Sequence, residues 1–280
     1  MLKVSQLLIY PIKSLAGTSV STAKVTQKGF ENDRRFMLTN SENRFLTIRE
    51  FPKMTRLLPA FENGGLTVTR LDSPSEALFI SLDLAQEESK DVVIWNATVE
   101  AQTVSKEADD WFSDALGASA KLVYMPENSM RPVDTTSGFK PKGKFVSFAD
   151  AYPFMMMGEA SLNDLNERYD GNQKLTIHRF RPNIVFSGGF PNQEDDFEDF
   201  TINGIAFKGL ENCARCTIPN VNPETGQVDT HTEPLATLAK YRLQNRKINF
   251  GRNLVHSGTG IVHIGDILKF GETPREKKGR

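Results

Sequence analysis

Apolar residues along this chain come in short runs broken by turn formers, the pattern of half-buried strands and not of long helices. Lys3 to Tyr10 is an apolar-rich run closed by Pro11, which has no N–H to give to a central ladder. Lys13 and Ser14 follow in a loop, and Gly17 permits a tight turn. A polar loop from Gly29 to Asp33 feeds a predicted strand, Arg35 to Thr39. Asn40 to Asn43 then turns the chain into Phe45–Ile48, and the two strands make a predicted hairpin. Leu66 to Thr69 continues the pattern, as does Val92–Trp95 paired with Val99–Val104. Short strands separated by turns describe a barrel or sandwich, not alternating βαβ units.

Helical periodicity is confined to three places. Ser105 stands in a capping position before a stripe of Ala108, Trp111, Phe112, Ala115 and Leu116, which Gly117 ends. Glu159 to Tyr169 turns Leu162 and Leu165 inward, just after Met155–Met157, which reads as a buried strand. Thr232 is the expected cap of a helix from Glu233, with Pro234 in its first turn and Leu235, Leu238 and Ala239 inward. Asn203-Gly204 between Ile202 and Ile205 predicts a tight hairpin turn, and the acidic stretch Glu194 to Asp199 a solvated loop. Met125 to Lys144, rich in proline, glycine and charge, marks a junction or loop. The expectation is a mainly β (α+β) chain with a few short helices. Its domains would span 1–124 and 125–272, followed by a basic tail or linker at 273–280.

At 280 residues the chain can bury a sizeable core, and 34 basic against 35 acidic residues leave no bulk attraction toward nucleic acid or anionic membrane. No apolar run approaches spanning length, and the N-terminal one is too short for a signal peptide. A cytoplasmic protein without nucleic-acid or membrane partners is expected. The two cysteines, Cys213 and Cys216, suit a reducing compartment.

Those cysteines sit in Cys213-Ala214-Arg215-Cys216, ahead of Pro219 and Pro223. A thiolate is a soft ligand and a strong nucleophile, and a neighbouring guanidinium favours its charged form. A closed zinc site commonly draws four ligands from two such pairs; no second pair exists, and His178, His231, His256 and His263 are scattered. A thioredoxin-type centre shares the spacing but starts a long helix, which the two prolines oppose. Lys13, Ser14, Arg34, Arg35, Arg49, Arg131, Arg179 and Arg181 lie at or near predicted strand ends, where arginine forks can take phosphate. There is no glycine-rich phosphate loop, Ser-His-Asp arrangement or paired-carboxylate motif. Residues alone therefore leave metal, redox and purely structural roles open for the thiols.

Seven segments run in order over nearly the whole chain: Tyr10-Pro11-Ile12-Lys13-Ser14, Asn32-Asp33-Arg34-Arg35-Phe36, Ser147-Phe148-Ala149-Asp150-Ala151-Tyr152-Pro153, Glu159-Ala160-Ser161-Leu162, Phe180-Arg181-Pro182-Asn183, Cys213 to Cys216, and Asn222-Pro223-Glu224-Thr225-Gly226. Together they resemble the MOSC-domain molybdenum-cofactor proteins of the bacterial YcbX type, related to the mitochondrial amidoxime-reducing component. The resemblance implies an N-terminal β-rich domain followed by a MOSC β-barrel. It implies that Cys216 ligates the molybdenum of a molybdopterin, with Arg215 helping to keep that thiolate ionised. Lys13, Ser14, Arg35, Arg181 and Asn183 match positions that hold the pterin and its phosphate. Asp150, Ala151, Tyr152, Ala214 and Asn253 match positions of the same pocket, Ala151 and Tyr152 through backbone only, because their side chains differ from those of the mitochondrial relative. Cys213 is implied as a supporting thiol and Asp150 as a proton-donor candidate by location. The implied reaction reduces small N-hydroxylated substrates, hydroxylaminopurines or amidoximes, to N–H compounds. Its alternative is a carrier of cofactor or sulfur on Cys216. Pyridoxal phosphate binding is a further implied property. Some bacterial relatives carry a ferredoxin-like domain with four further cysteines, which this sequence lacks, so a separate or fused ferredoxin or flavin reductase is the expected electron donor.

Overall fold

The computed structural model describes residues 1–84, 88–134 and 141–271. The predicted tail, and residues 135–140 of the predicted junction, lie outside that set. Its largest sheet runs Thr18–Val20, Lys3–Ile9, Ile184–Ser187, Phe154–Gly158, Lys247–Ser257, Ile205–Ala214, Asp199–Ile202, Leu268–Phe270. Phe154–Gly158 and Ile184–Ser187 are parallel neighbours, so the chain between them must cross over, and helix Glu159–Arg168 lies in that crossover. The sheet curls until its margins meet: Leu268 N–H donates to Leu2 O at 3.0 Å, and Lys3 bridges Ile267. With Val4 N–H donating to Asp266 O and Gly265 N–H to Val4 O, both at 2.8 Å, these few bonds still do not make a continuous ladder. The expected barrel is therefore a curled open sheet, while the mainly β class holds.

Smaller sheets complete the architecture. Phe36–Thr39, Lys121–Tyr124, Ala97–Thr103 and Ser89–Ile94 form one; Leu57–Glu62, Gly65–Arg70 and Ser73–Ser81 form another. Phe112 of helix Lys106–Leu116 belongs to one core with Phe36, Leu38 and Leu66. Burial of each such side chain stabilises the fold by about 2 kcal/mol. The helix starts and stops as the sequence predicts. The Ser105 hydroxyl accepts Ala108 N–H at 3.1 Å, and Gly117 ends it at φ 62°. All of Phe154–Gly158 is buried, and Asn203-Gly204 joins its two strands at φ 45° and 79°. Ladders cross the sequence midpoint: Lys3–Ile9 pairs with Ile184–Ser187, and Thr22–Thr26 with Gly260–His263.

Four local expectations are corrected. Phe45–Ile48 is not a strand, because Thr47 turns the chain: its hydroxyl donates to Glu50 at 2.9 Å and its carbonyl accepts Glu50 and Phe51 N–H. Trp95 is not a strand residue but half of the Trp95-Asn96 loop between Ile94 and Ala97. The third helix runs Leu235–Arg242 without a Thr232 cap; the Thr232 hydroxyl donates to His231 O, while Asp229 accepts the N–H groups of His231 and Glu233. Glu194 is fully buried, accepting from Ser161 Oγ at 2.8 Å and Gly158 N at 3.2 Å. Burial pushes its carboxyl pKa up.

Candidate functional site

Loops from both halves of the chain converge on a cavity of about 400 Å³. Its lining carries five basic side chains, Lys13, Arg34, Arg49, Arg181 and Arg215, against two acidic ones, Asp150 and Glu211. The first wall is built around Asp33, which accepts Tyr10 N–H at 2.8 Å and Arg34 Nη1 at 2.7 Å. Asn183 Oδ1 also accepts Arg34 Nη1, at 3.1 Å, while Asn183 Nδ2 donates to Leu8 O. Asn183 is thus spent on backbone and on aiming Arg34. Arg34 and Arg181 stand 4.2 and 4.3 Å from the Tyr10 ring centroid. No hydrogen-bond acceptor faces the Arg181 guanidinium among the described residues, and burial pulls its pKa down to about 10.

The second wall is the loop Ser147–Tyr152. Arg131 holds it from behind, donating to the carbonyls of Ser147, Ala149 and Asp150 at 3.0, 2.6 and 2.6 Å. Three carbonyls gathered on one buried guanidinium bend the loop toward the cavity. Lys13 Nζ crosses to it, donating to Phe148 O at 2.9 Å and to Asp150 Oδ1 at 2.5 Å. Burial, opposed by Asp150, lowers the Lys13 pKa to about 8. Burial works against the Asp150 charge too, yet Lys13 and the Trp95 indole N–H hold its carboxyl well below the usual range. The Asp150 side chain is 58% exposed, so solvent screens part of this interaction. An ionised carboxylate accepts hydrogen bonds and holds no proton to give, so the pairing with Lys13 argues against the expected proton-donor role of Asp150.

The third wall carries the thiols. Strand Ile205–Ala214 has irregularities between Gly209 and Glu211 and between Asn212 and Ala214. Bulges re-aim side chains, and Glu211, Asn212, Cys213 and Ala214 all line the cavity. Arg252 braces the bulge, donating to Asn212 Oδ1 at 2.7 Å. Arg215 Nη1 donates to Cys213 Sγ at 3.1 Å and Nη2 to Phe180 O at 2.9 Å. The guanidinium expected beside Cys216 is therefore spent on Cys213, whose thiol pKa burial nonetheless pushes up. Cys216 is exposed on the cavity lining.

Of the expected site residues, Lys13, Ser14, Asp150, Ala151, Tyr152, Arg181, Asn183, Cys213, Ala214, Arg215, Cys216 and Asn253 all line this cavity. Arg35 does not. Its guanidinium points inward to Met125 O, Tyr124 Oη and, at 2.5 Å, Glu127. The left-handed backbone of Arg34, at φ 50°, breaks the alternation of the strand that follows and sends Arg34 to the cavity instead. Arg34 and Arg49, expected only as possible phosphate contacts, line it too, while Trp95, Glu211 and Asn212 were not expected there. Backbone conformation is the signal they share a site with. Among the described residues twelve non-glycine positions have positive φ; six are asparagine, and of the other six, Ser14, Arg34, Trp95 and Arg181 line this one cavity. Bulky residues hold such backbone only where the surroundings enforce it, commonly at functional sites.

Residues 1–119 match the profile described as "MOSC N-terminal beta barrel domain", and residues 144–269 that of "MOSC domain". The chain belongs to the MOSC-domain family. It is 32% identical to "Mitochondrial amidoxime-reducing component 1" of Mus musculus, over 94% of this chain and 80% of that protein. The Homo sapiens protein of that name is 30% identical, over 94% and 81%. "Molybdenum cofactor sulfurase" of Solanum lycopersicum is 32% identical over 96% of this chain. The chain spans about a third of the length of the plant sulfurases it matches. No helix among the described residues is long and apolar enough to cross a membrane.

Proposed function

We propose that this MOSC-family protein is a molybdenum-cofactor-dependent oxidoreductase that reduces N-hydroxylated compounds, hydroxylaminopurines or amidoximes, to N–H products. The observation that carries it is the exposed Cys216 thiol lining a cavity whose cations outnumber its carboxylates. The donor set fits the group. Sulfur is a soft ligand suited to a thiolate-bound metal. Among the described residues no cluster of three or more histidine, cysteine or acidic side chains is arranged to hold an ion by itself. A metal here would draw its other ligands from the cofactor. The volume lies in the range of small-molecule sites. Arg181, half-buried and with no side-chain hydrogen bond among the described residues, suits an anionic phosphate or dithiolene.

When bound, the cofactor supplies two-electron abstraction of the hydroxyl oxygen, so each turnover consumes two electrons and two protons and releases water. The chain's own residues hold and orient. Cys216 is the metal ligand; Lys13, Ser14, Arg34 and Arg181 are the anion contacts; Asn183 and Asp33 aim Arg34. Lys13, with its pKa near 8, is the lining side chain that can hold or release a proton at Nζ near neutral pH. Pyridoxal phosphate would need a lysine free to form an imine, and the one lysine in the lining is committed to Asp150 and Phe148, so that property has no support. Electrons would come from a separate or fused ferredoxin or flavin reductase.

A second reading draws on the same exposed thiol and on the sulfurase relatives: Cys216 carries sulfur or cofactor for another protein. One preparation separates the two. Protein from molybdate-supplemented cells should hold about one molybdenum per chain and reduce an amidoxime with an artificial donor. Cys216→Ala should lose the metal and Cys213→Ala retain it. Labile sulfur on Cys216 without turnover would favour the carrier, and full metal content in Cys216→Ala would overturn both.

A further inference from the structure

Trp95 carries the largest side chain among the cavity's left-handed residues, and nothing in holding a cofactor calls for it. Ile94 pairs with Ala97, so Trp95 and Asn96 are the whole connection between their strands. Loops of two residues favour glycine or asparagine where φ is positive. Here tryptophan occupies the first position at φ 53°. The indole is held on several sides: its N–H donates to Asp150 Oδ1 at 3.2 Å, the Phe45 ring lies 5.0 Å away, and the Arg49 guanidinium lies 4.9 Å from the ring centroid. Yet the residue stays 41% exposed, so core packing does not account for it.

Its location indicates what the ring meets. Trp95, Arg49 and Thr47 line both the cationic cavity and a neighbouring recess of about 450 Å³ bounded by Asn40, Arg44, Phe45, Glu50 and Asn96. They form the partition between the two. A resident cofactor belongs in the inner space beside Cys216; a molecule that enters and leaves at each turnover has the outer recess beside it. A rigid ring backed by a guanidinium gives a flat ligand a stacking surface with no need for a matched hydrogen bond.

We propose that Trp95, backed by Arg49, is a stacking platform that selects flat substrates over non-planar ones at this site; the proposal rests on the reductase reading. The two are tested apart. The chain has two tryptophans, and Trp111 lies on the helix against Phe112, so Trp111→Phe leaves Trp95 as sole emitter. Cofactor-loaded Trp111→Phe protein is titrated with benzamidoxime and with the non-planar cyclohexanecarboxamidoxime. Saturable quenching by the first and not the second is expected. In the otherwise native enzyme, Trp95→Ala should raise KM for benzamidoxime about ten-fold more than KM for the cyclohexyl compound; any change in kcat from the lost Asp150 bond should be equal for both, and Trp95→Phe, which keeps the ring and loses the same bond, should largely restore the KM ratio. Trp95→Gly, which suits the left-handed loop, replaces the alanine variant if that one does not fold. Turnover of both compounds with an equal response to the substitution, or with no quenching, overturns the platform and spares the reductase. Quenching by the flat compound without turnover of either sinks the reductase and spares the platform as a binding site.

Discussion

Arg181 is an unfavourable residue to fold around, and removing it tests why it is there. Burial pulls its pKa well below the ordinary guanidinium value, down to about 10. At about 1.4 kcal/mol for each tenfold change, holding the charge inside costs about 3 kcal/mol. That cost is already net of the attraction of Tyr10, whose ring centroid lies 4.3 Å away, and of Asp150 and Asp33. Arg181→Met keeps an unbranched side chain of similar length, so the strain at φ 59° is unchanged. The backbone bond from Arg34 Nη2 to Arg181 O at 3.3 Å is also kept. The variant should gain about 1–2 kcal/mol in urea unfolding, or a few degrees in Tm, with no change in m-value. Its molybdenum content should fall at least about ten-fold, since a buried charge-assisted contact to an anion is lost. A variant destabilised by more than about 1 kcal/mol that still loads cofactor normally would refute this reasoning, because Arg181 would then be structural.

Three further outcomes are expected. Lys13 releases its proton near pH 8 in the folded chain and near 10.5 in the unfolded one, so the unfolded state binds the extra proton between those values and stability rises with pH there. Lys13→Met should abolish that rise, read as the difference in urea midpoints at pH 8 and 10.5, and anion retention by the native protein should weaken above pH 8. Arg35→Met should cost roughly 3 kcal/mol, because Met125 O and Tyr124 Oη lose a buried donor, while molybdenum per folded chain stays constant; metal loss from a folded variant would return Arg35 to the site. Glu194 has a raised pKa, so the folded chain holds its proton above pH 4.5 and stability falls as pH rises through that window; Glu194→Gln should flatten the slope in melts from pH 4 to 7.

What could be read from the sequence was what its neighbours decide. The Ser105 cap, the Gly117 stop, the Asn203-Gly204 turn and the buried Met155–Met157 strand each depend on a few adjacent residues, and each is present. The cysteine pair and Lys13, Ser14, Asp150, Arg181 and Asn183 were placed through order along the chain, and they do meet at one cavity. The misjudged residues were those whose direction is decided by partners far away. Glu194 looked solvated because its donors, Ser161 and Gly158, are more than thirty residues off. Arg34 and Arg35 are indistinguishable by type, and what separates them is a left-handed turn closed by Asp33 and Asn183. Arg215 was expected at Cys216, but the bulged strand turns its guanidinium to Cys213 and to Phe180 O. Trp95 read as a strand residue because aromatic residues favour strands, and a two-residue loop overrides that preference. Some of these failures share a place. Arg34, Trp95 and Arg215 all line the cavity, where backbone strain and bulges aim side chains against their local preferences. Four of the six described positive-φ residues that are neither glycine nor asparagine lie around one exposed thiol, which is the pattern of a site held ready for a ligand.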